Sequence, residues 1–127
     1  MKRILLASII LAFGATSIQA HHGLASEYDR DKVLTLKGKL REIDWRNPHI
    51  ELVVETKNGQ ETQTWKLEGP APSFFRARDI NKSDIEAALK KPVTAEASRA
   101  RDGSRWGLLR VMTLPDGKIV SACPQNC

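Results

Sequence analysis

The stretch VLTLKGKLREIDW, Val33 to Trp45, constrains the fold more than any other part of the chain. Leu34, Leu36, Gly38 and Leu40 alternate with polar residues, the mark of a half-buried strand. Beyond Leu40 the phase slips, and apolar residues resume at Ile43 and Trp45. A long strand that changes phase near a glycine predicts a bulge or coil that bends it. A bent strand of this kind can serve two halves of one sheet.

The segments that follow say what it pairs with. Pro48 ends the first strand, because it has no N–H to donate and pushes Asn47 away from helix. In HIELVVET, Ile50, Leu52 and Val54 share one face, and His49, Glu51, Val53 and Glu55 share the other. Asn58-Gly59 predicts a two-residue hairpin. The strand Glu61 to Gly69 then returns with Trp65 and Leu67 inward. Next the period changes. Ser73 is placed to cap a short helix carrying Phe74 and Phe75, and Ser83-x-x-Glu86 reads as a capping box before Ile85, Ala88 and Leu89. Pro92 stops the helix, and strands resume over Val93 to Arg101, Arg105 to Leu114 and KIVSA, with turns at Asp102-Gly103 and Pro115 to Gly117.

This β-β-β-α-β-β order predicts a mainly β fold, a small closed barrel like the oligonucleotide/oligosaccharide-binding (OB) barrel, with one helical insert. A β-sandwich is the runner-up, but it does not account for a single helical insert between strands three and four. Trp45, Trp65 and Trp106 are read as core rather than as a ligand platform, since they stand at alternating positions.

The start of the chain sets the compartment. Lys2 and Arg3 precede an apolar run from Ile4 to Phe13, followed by small and polar residues up to Ala20. That is the pattern of a secretory signal peptide, and the run is shorter than the roughly 20 apolar residues of a membrane span. Cleavage after Ala20 divides the chain into a signal peptide (1–20), an extended N-terminal segment (21–32), an OB-like barrel domain (33–122) and a cysteine-containing tail (123–127). The expected location is periplasmic or secreted, with no membrane span after cleavage. Losing Lys2 and Arg3 lowers the formal charge of +5 by two. The remaining Lys and Arg are interleaved with acids, so no nucleic-acid arm is indicated.

Cleavage after Ala20 also creates chemistry. His21 would then carry a free α-amine of pKa about 7.7–8.0 and an imidazole that titrates near 6.5, so both nitrogens shed protons easily near neutral pH. Together they chelate one metal ion. A second imidazole would complete a T-shaped set of three nitrogens, a histidine brace, and such a set favours Cu(II). The chain has three histidines, and the third, His49, follows a proline turn on the face opposite Ile50, Leu52 and Val54. The candidate metal ligands are therefore His21, His22 and His49, and copper is the candidate ion. His22 is either an extra ligand or a bystander, since two successive side chains share a site only if the backbone bends, as Gly23 permits. Nearby Glu27, Asp29 and Asp31 read either as partners that orient an imidazole or, more simply, as a solvated loop.

The only cysteines are Cys123 and Cys127. An oxidising compartment makes a small disulfide the plain reading. A soft thiolate pair for Cu(I), a redox exchange site and an unpaired tail are the alternatives. No catalytic constellation is visible: a Ser-His-Asp or Cys-His arrangement would have to use His49 or the terminus, and no glycine-rich phosphate loop is present. A binding protein is expected rather than an enzyme. The competing reading is a non-metal OB-like module that takes a glycan, a peptide or an envelope protein on its strand faces.

Five motifs in combination, A-H-H-G…E-Y-D, L-K-G…W-x-N-P-H, W-x-L-E-G, A-R-D-G-S and T-L-P-D-G, resemble a family of small secreted bacterial proteins of uncharacterised function. The resemblance runs from His21 to about Ala122. It maps the family's double histidine and its N-P-H histidine onto His21, His22 and His49. KKPVTAE departs from the family's K-P-G-D turn, and CPQNC is not part of the pattern. The resemblance implies a compartment and a histidine set, and no activity.

Overall fold

The structure is a computed structural model and describes residues 23–123. The proposed leader, His21, His22 and Cys127 lie outside the described residues. A single helical turn, α1 (Leu24–Glu27), leads into β1 (Tyr28–Asp44), followed by β2 (Glu51–Asn58) and β3 (Glu61–Glu68). Two short helices, α2 (Pro72–Arg76) and α3 (Lys82–Glu86), precede β4 (Pro92–Ala100), β5 (Trp106–Thr113) and β6 (Ile119–Ser121).

β1 is the spine. Antiparallel ladders join Val33–Lys39 to β4 and Gly38–Asp44 to β2, so one strand belongs to both sides of the sheet. β2 pairs with β3 and β4 with β5, both antiparallel. A short parallel ladder, Lys66 with Trp106, Leu67 with Gly107 and Glu68 with Leu108, then joins β3 to β5 and closes the ring. β6 extends the outer part of β5. The expected closed, OB-like barrel is thus the fold that forms. β1 bends where the alternation slips: its register against β2 shifts between Leu40 and Glu42. Gly38 permits the close approach there, since a Cβ on it would stand 2.1 Å from the backbone oxygen of Glu55.

The inward stripes supply the core. Leu36, Leu40, Leu52, Val54, Leu67, Leu109 and Met112 are buried inside the ring. Each such side chain contributes about 1.5–3 kcal/mol of transfer free energy relative to an exposed one. Ile50, Phe75 and Ile85 join them at the end that the helical connection covers. Phe75 packs against Trp45 in a tilted pair with ring centroids 5.2 Å apart and meets Phe74 edge-on at 5.5 Å. Trp65 is buried, whereas Trp45 and Trp106 are half-buried at the barrel ends.

Local boundaries differ from the sequence reading for identifiable reasons. β1 begins at Tyr28 rather than Val33, and residues 24–27 are helical rather than extended. The alternation is lost over Asp29 to Lys32 because the register against β4 jumps between Asp29 and Val33 and those polar residues bulge outward. The hairpin turns one residue late: Asn58 still pairs with Glu61, and Gly59 takes the left-handed conformation (φ 62°). The insert is two helices. Pro72 starts the first, with Ala71 as its N-cap, so Ser73 lies inside it. The capping box of the second is Asn81 with Asp84, and Ser83 and Glu86 lie within the helix. Ile80, just before this cap, is buried.

Candidate functional site

The seam where β3 meets β5 holds a second, small apolar cluster of Tyr28, Ala100 and Leu108, flanked by Trp106. Tyr28 opens β1 opposite Ala100, the last residue of β4. Its ring is 3% exposed, and its hydroxyl donates a 2.7 Å hydrogen bond to Glu68 Oε2. Burial pushes the Tyr28 phenol well above its ordinary range, and the hydrogen bond to Glu68 and that carboxylate's charge push the same way. The hydroxyl is therefore a permanent donor at neutral pH.

The other oxygen of the same carboxylate, Glu68 Oε1, lies 2.5 Å from Nδ1 of His49. Glu68 thus bridges a buried tyrosine and a histidine whose side chain is 43% exposed. Backbone bonds hold this geometry. The Ile50 N–H donates to Pro70 O and the Gly69 N–H donates to Ile50 O, which fastens the segment after His49 to the segment after Glu68. Arg46 donates from Nε and Nη2 to the two carboxylate oxygens of Asp44 and braces the turn before Pro48, whose peptide bond with Asn47 is cis.

With Nδ1 donating to a carboxylate, the lone pair of a neutral imidazole sits on Nε2. A histidine ligand in this state has its tautomer and ring orientation set by its partner. Tyr28 and Glu68 also line a cleft of about 540 Å³, together with Ser26, Ser104 and Trp106 among others. Lys66 lies over the Trp106 ring at 5.1 Å. Among the described residues no group of three or more His, Cys, Asp or Glu side chains converges on one point.

A family model described as a family of unknown function (DUF6152) matches residues 9–110. The chain belongs to this family. No curated protein and no solved structure matches it. The DUF6152 match begins earlier than the motif resemblance and ends inside β5, so β6 and the cysteine tail lie beyond it.

In this DUF6152 member the sequence reading and the structure meet at His49, which is exposed at the barrel end as its face implied. Of the acids near the terminus, Asp29 faces Lys32 at 3.6 Å and Arg101 at 3.7 Å. Cys123 is disulfide-bonded. Sequence reasoning missed Tyr28 and Glu68. Both stand in motifs noted above, E-Y-D and W-x-L-E-G, and the barrel brings these two together with the N-P-H histidine. Among the described residues no helix is long and apolar enough to cross a membrane.

Proposed function

We propose that this protein is a small periplasmic or secreted metal-binding protein, with copper as its ion. In this reading the α-amine and imidazole of His21, freed by cleavage after Ala20, and Nε2 of His49 are the ligands. The Glu68 bridge carries the proposal. It orients one imidazole by its Nδ1 and binds, through its second oxygen, the residue where the N-terminal segment enters the barrel. Only α1 and a few residues separate Tyr28 from His21. A four-residue helical turn rises about 6 Å and each extended residue adds at most about 3.6 Å, so the tether is short. His22 remains available as a further ligand, and Glu68 acts as the partner that fixes the ring orientation of His49.

Intact mass of the secreted chain tests the cleavage, and Cu(II) titration with EPR tests the site. A nitrogen-rich tetragonal Cu(II) signal that His49→Ala abolishes is expected. A glycine added before His21 should remove tight binding. Equal affinity with and without that glycine, or a mature chain that does not start at His21, overturns the brace.

A further inference from the structure

A second surface lies away from the histidine. The outward residues of mid-β1 are Lys37 and Lys39, followed by Arg41 at the bulge, and Lys57 stands beside them on β2. These four cations border one open groove of about 880 Å³, which the turn after β5 encloses on its far side. Glu55 is the one acid among its described lining residues, and Arg41 already occupies it at 2.6 Å. Hydrogen bonding from Arg41, and then the charges of Arg41, Lys39 and Lys57, hold the Glu55 carboxyl below the usual glutamate range, so both lysines act on the same small area. Lys39 lies opposite Glu55 in the β1–β2 register, but among the described residues no ion pair joins Lys37, Lys39 or Lys57 to an acid.

Uncompensated like charges side by side on neighbouring strands destabilise a sheet. Elsewhere Lys32, Lys82, Lys118 and Arg46 each face an acid. The groove is thus a local concentration of positive charge in a chain whose net charge is modest. Alternate residues of a strand are about 6.6–6.8 Å apart, so the β1 cations form a line rather than a single pocket. A line of point charges suits a chain with repeated anionic groups better than one small anion. No described residue lining the groove is aromatic, which removes the stacking platform that single-stranded nucleic acid uses. Thr62 and Thr94 add hydroxyls suited to sugar hydroxyls.

We infer that this groove binds a linear acidic polysaccharide, its carboxylate or sulfate groups lying along Lys37, Lys39, Arg41 and Lys57. The site is separate from the Glu68 bridge and does not depend on any metal.

Fluorescence anisotropy on the full secreted chain tests this, with labelled polygalacturonate and heparin as probes and neutral dextran and a single-stranded oligonucleotide as comparisons. The triple variant K37Q/K39Q/K57Q removes three exposed charges, and circular dichroism checks its fold. The control K66Q/K82Q/K118Q removes the same charge elsewhere. Binding to at least one acidic polysaccharide should weaken with salt, fall at least tenfold in the groove variant, and fall less than threefold in the control. Three results overturn the proposal: no binding to either acidic polysaccharide, an equal loss in both variants, or tighter binding to the oligonucleotide. Retention of polysaccharide binding by His49→Ala keeps this outcome separate from that of the metal site.

Discussion

The Tyr28 hydroxyl donates to Glu68 across forty positions of sequence, joining the first residue of β1 to the last of β3 at 2.7 Å. Removing that donor is the simplest perturbation of the site. Tyr28→Phe keeps the buried ring and leaves one carboxylate oxygen without its partner. A hydrogen bond to a charged group contributes about 1.5–3 kcal/mol. For a domain of this size each kcal/mol moves Tm by about 4–8 °C. A measurable drop in Tm is expected by calorimetry, and an unchanged Tm would show the bond contributes nothing.

Glu68→Gln asks a different question. The amide still accepts from Tyr28 but no longer offers His49 a charged partner. Loss of such a partner typically costs 10–100-fold in metal affinity. Cu(II) affinity is expected to fall within that range while the far-UV spectrum stays the same. If affinity is unaltered, Glu68 plays no part in orienting the histidine.

Gly38→Ala tests the bend of β1. Its Cβ would sit 2.1 Å from the Glu55 carbonyl oxygen, so the two strands must part. Forced overpacking of this sort costs about 1–3 kcal/mol or more. Urea unfolding should show a lower midpoint, and a midpoint equal to that of the parent would mean that the strands separate at no cost.

Ser98 runs the opposite way. It is fully buried in β4, and among the described residues its hydroxyl has no hydrogen-bond partner. A buried polar group without a partner costs roughly 1–3 kcal/mol. Ser98→Ala is therefore expected to leave stability unchanged or raise it. A clear loss in the same urea assay would reveal a partner for the hydroxyl.

Acid stability should depend on Asp84. The Asn81 N–H and then Lys118 hold its carboxyl below the ordinary aspartate range. A lowered folded value means the contribution is present above the unfolded aspartate pKa and is lost as pH falls through the folded one. Asp84→Asn should lower Tm at pH 7 and flatten its fall below pH 4, where parent and variant converge. An identical acid profile would exclude this carboxylate as a contributor.

The barrel was legible because its strands are half-buried, and Leu36, Leu52, Val54 and Leu67 advertise that by alternation. The bend was legible too, as a phase slip beside Gly38. Two features left no periodic trace. The bulge over Asp29 to Lys32 hides the true start of β1, because residues that leave the ladder follow no alternation. The capping box at Asn81 and Asp84 competes with a Ser83 pattern of the same form, and spacing alone does not choose between them. His49 was recognisable by residue type and face. Glu68 was not, because a glutamate at a strand end has no distinguishing spacing until the ring closes beside it.

That closing ladder is short, three residue pairs between β3 and β5, with one further bond from the Lys66 N–H to Arg105 O. Its partners are far apart in the chain, so it must await contacts that local pairing does not provide. Glu68 is the last rung. A chain with its hairpins formed but its ring open would hold His49 and Tyr28 on separate pieces, and amide exchange at Lys66 against Cu(II) occupancy would show the two rising together. The Glu68 bridge would then serve as a sign of maturity, since Tyr28 and His49 share one carboxylate only in the closed ring.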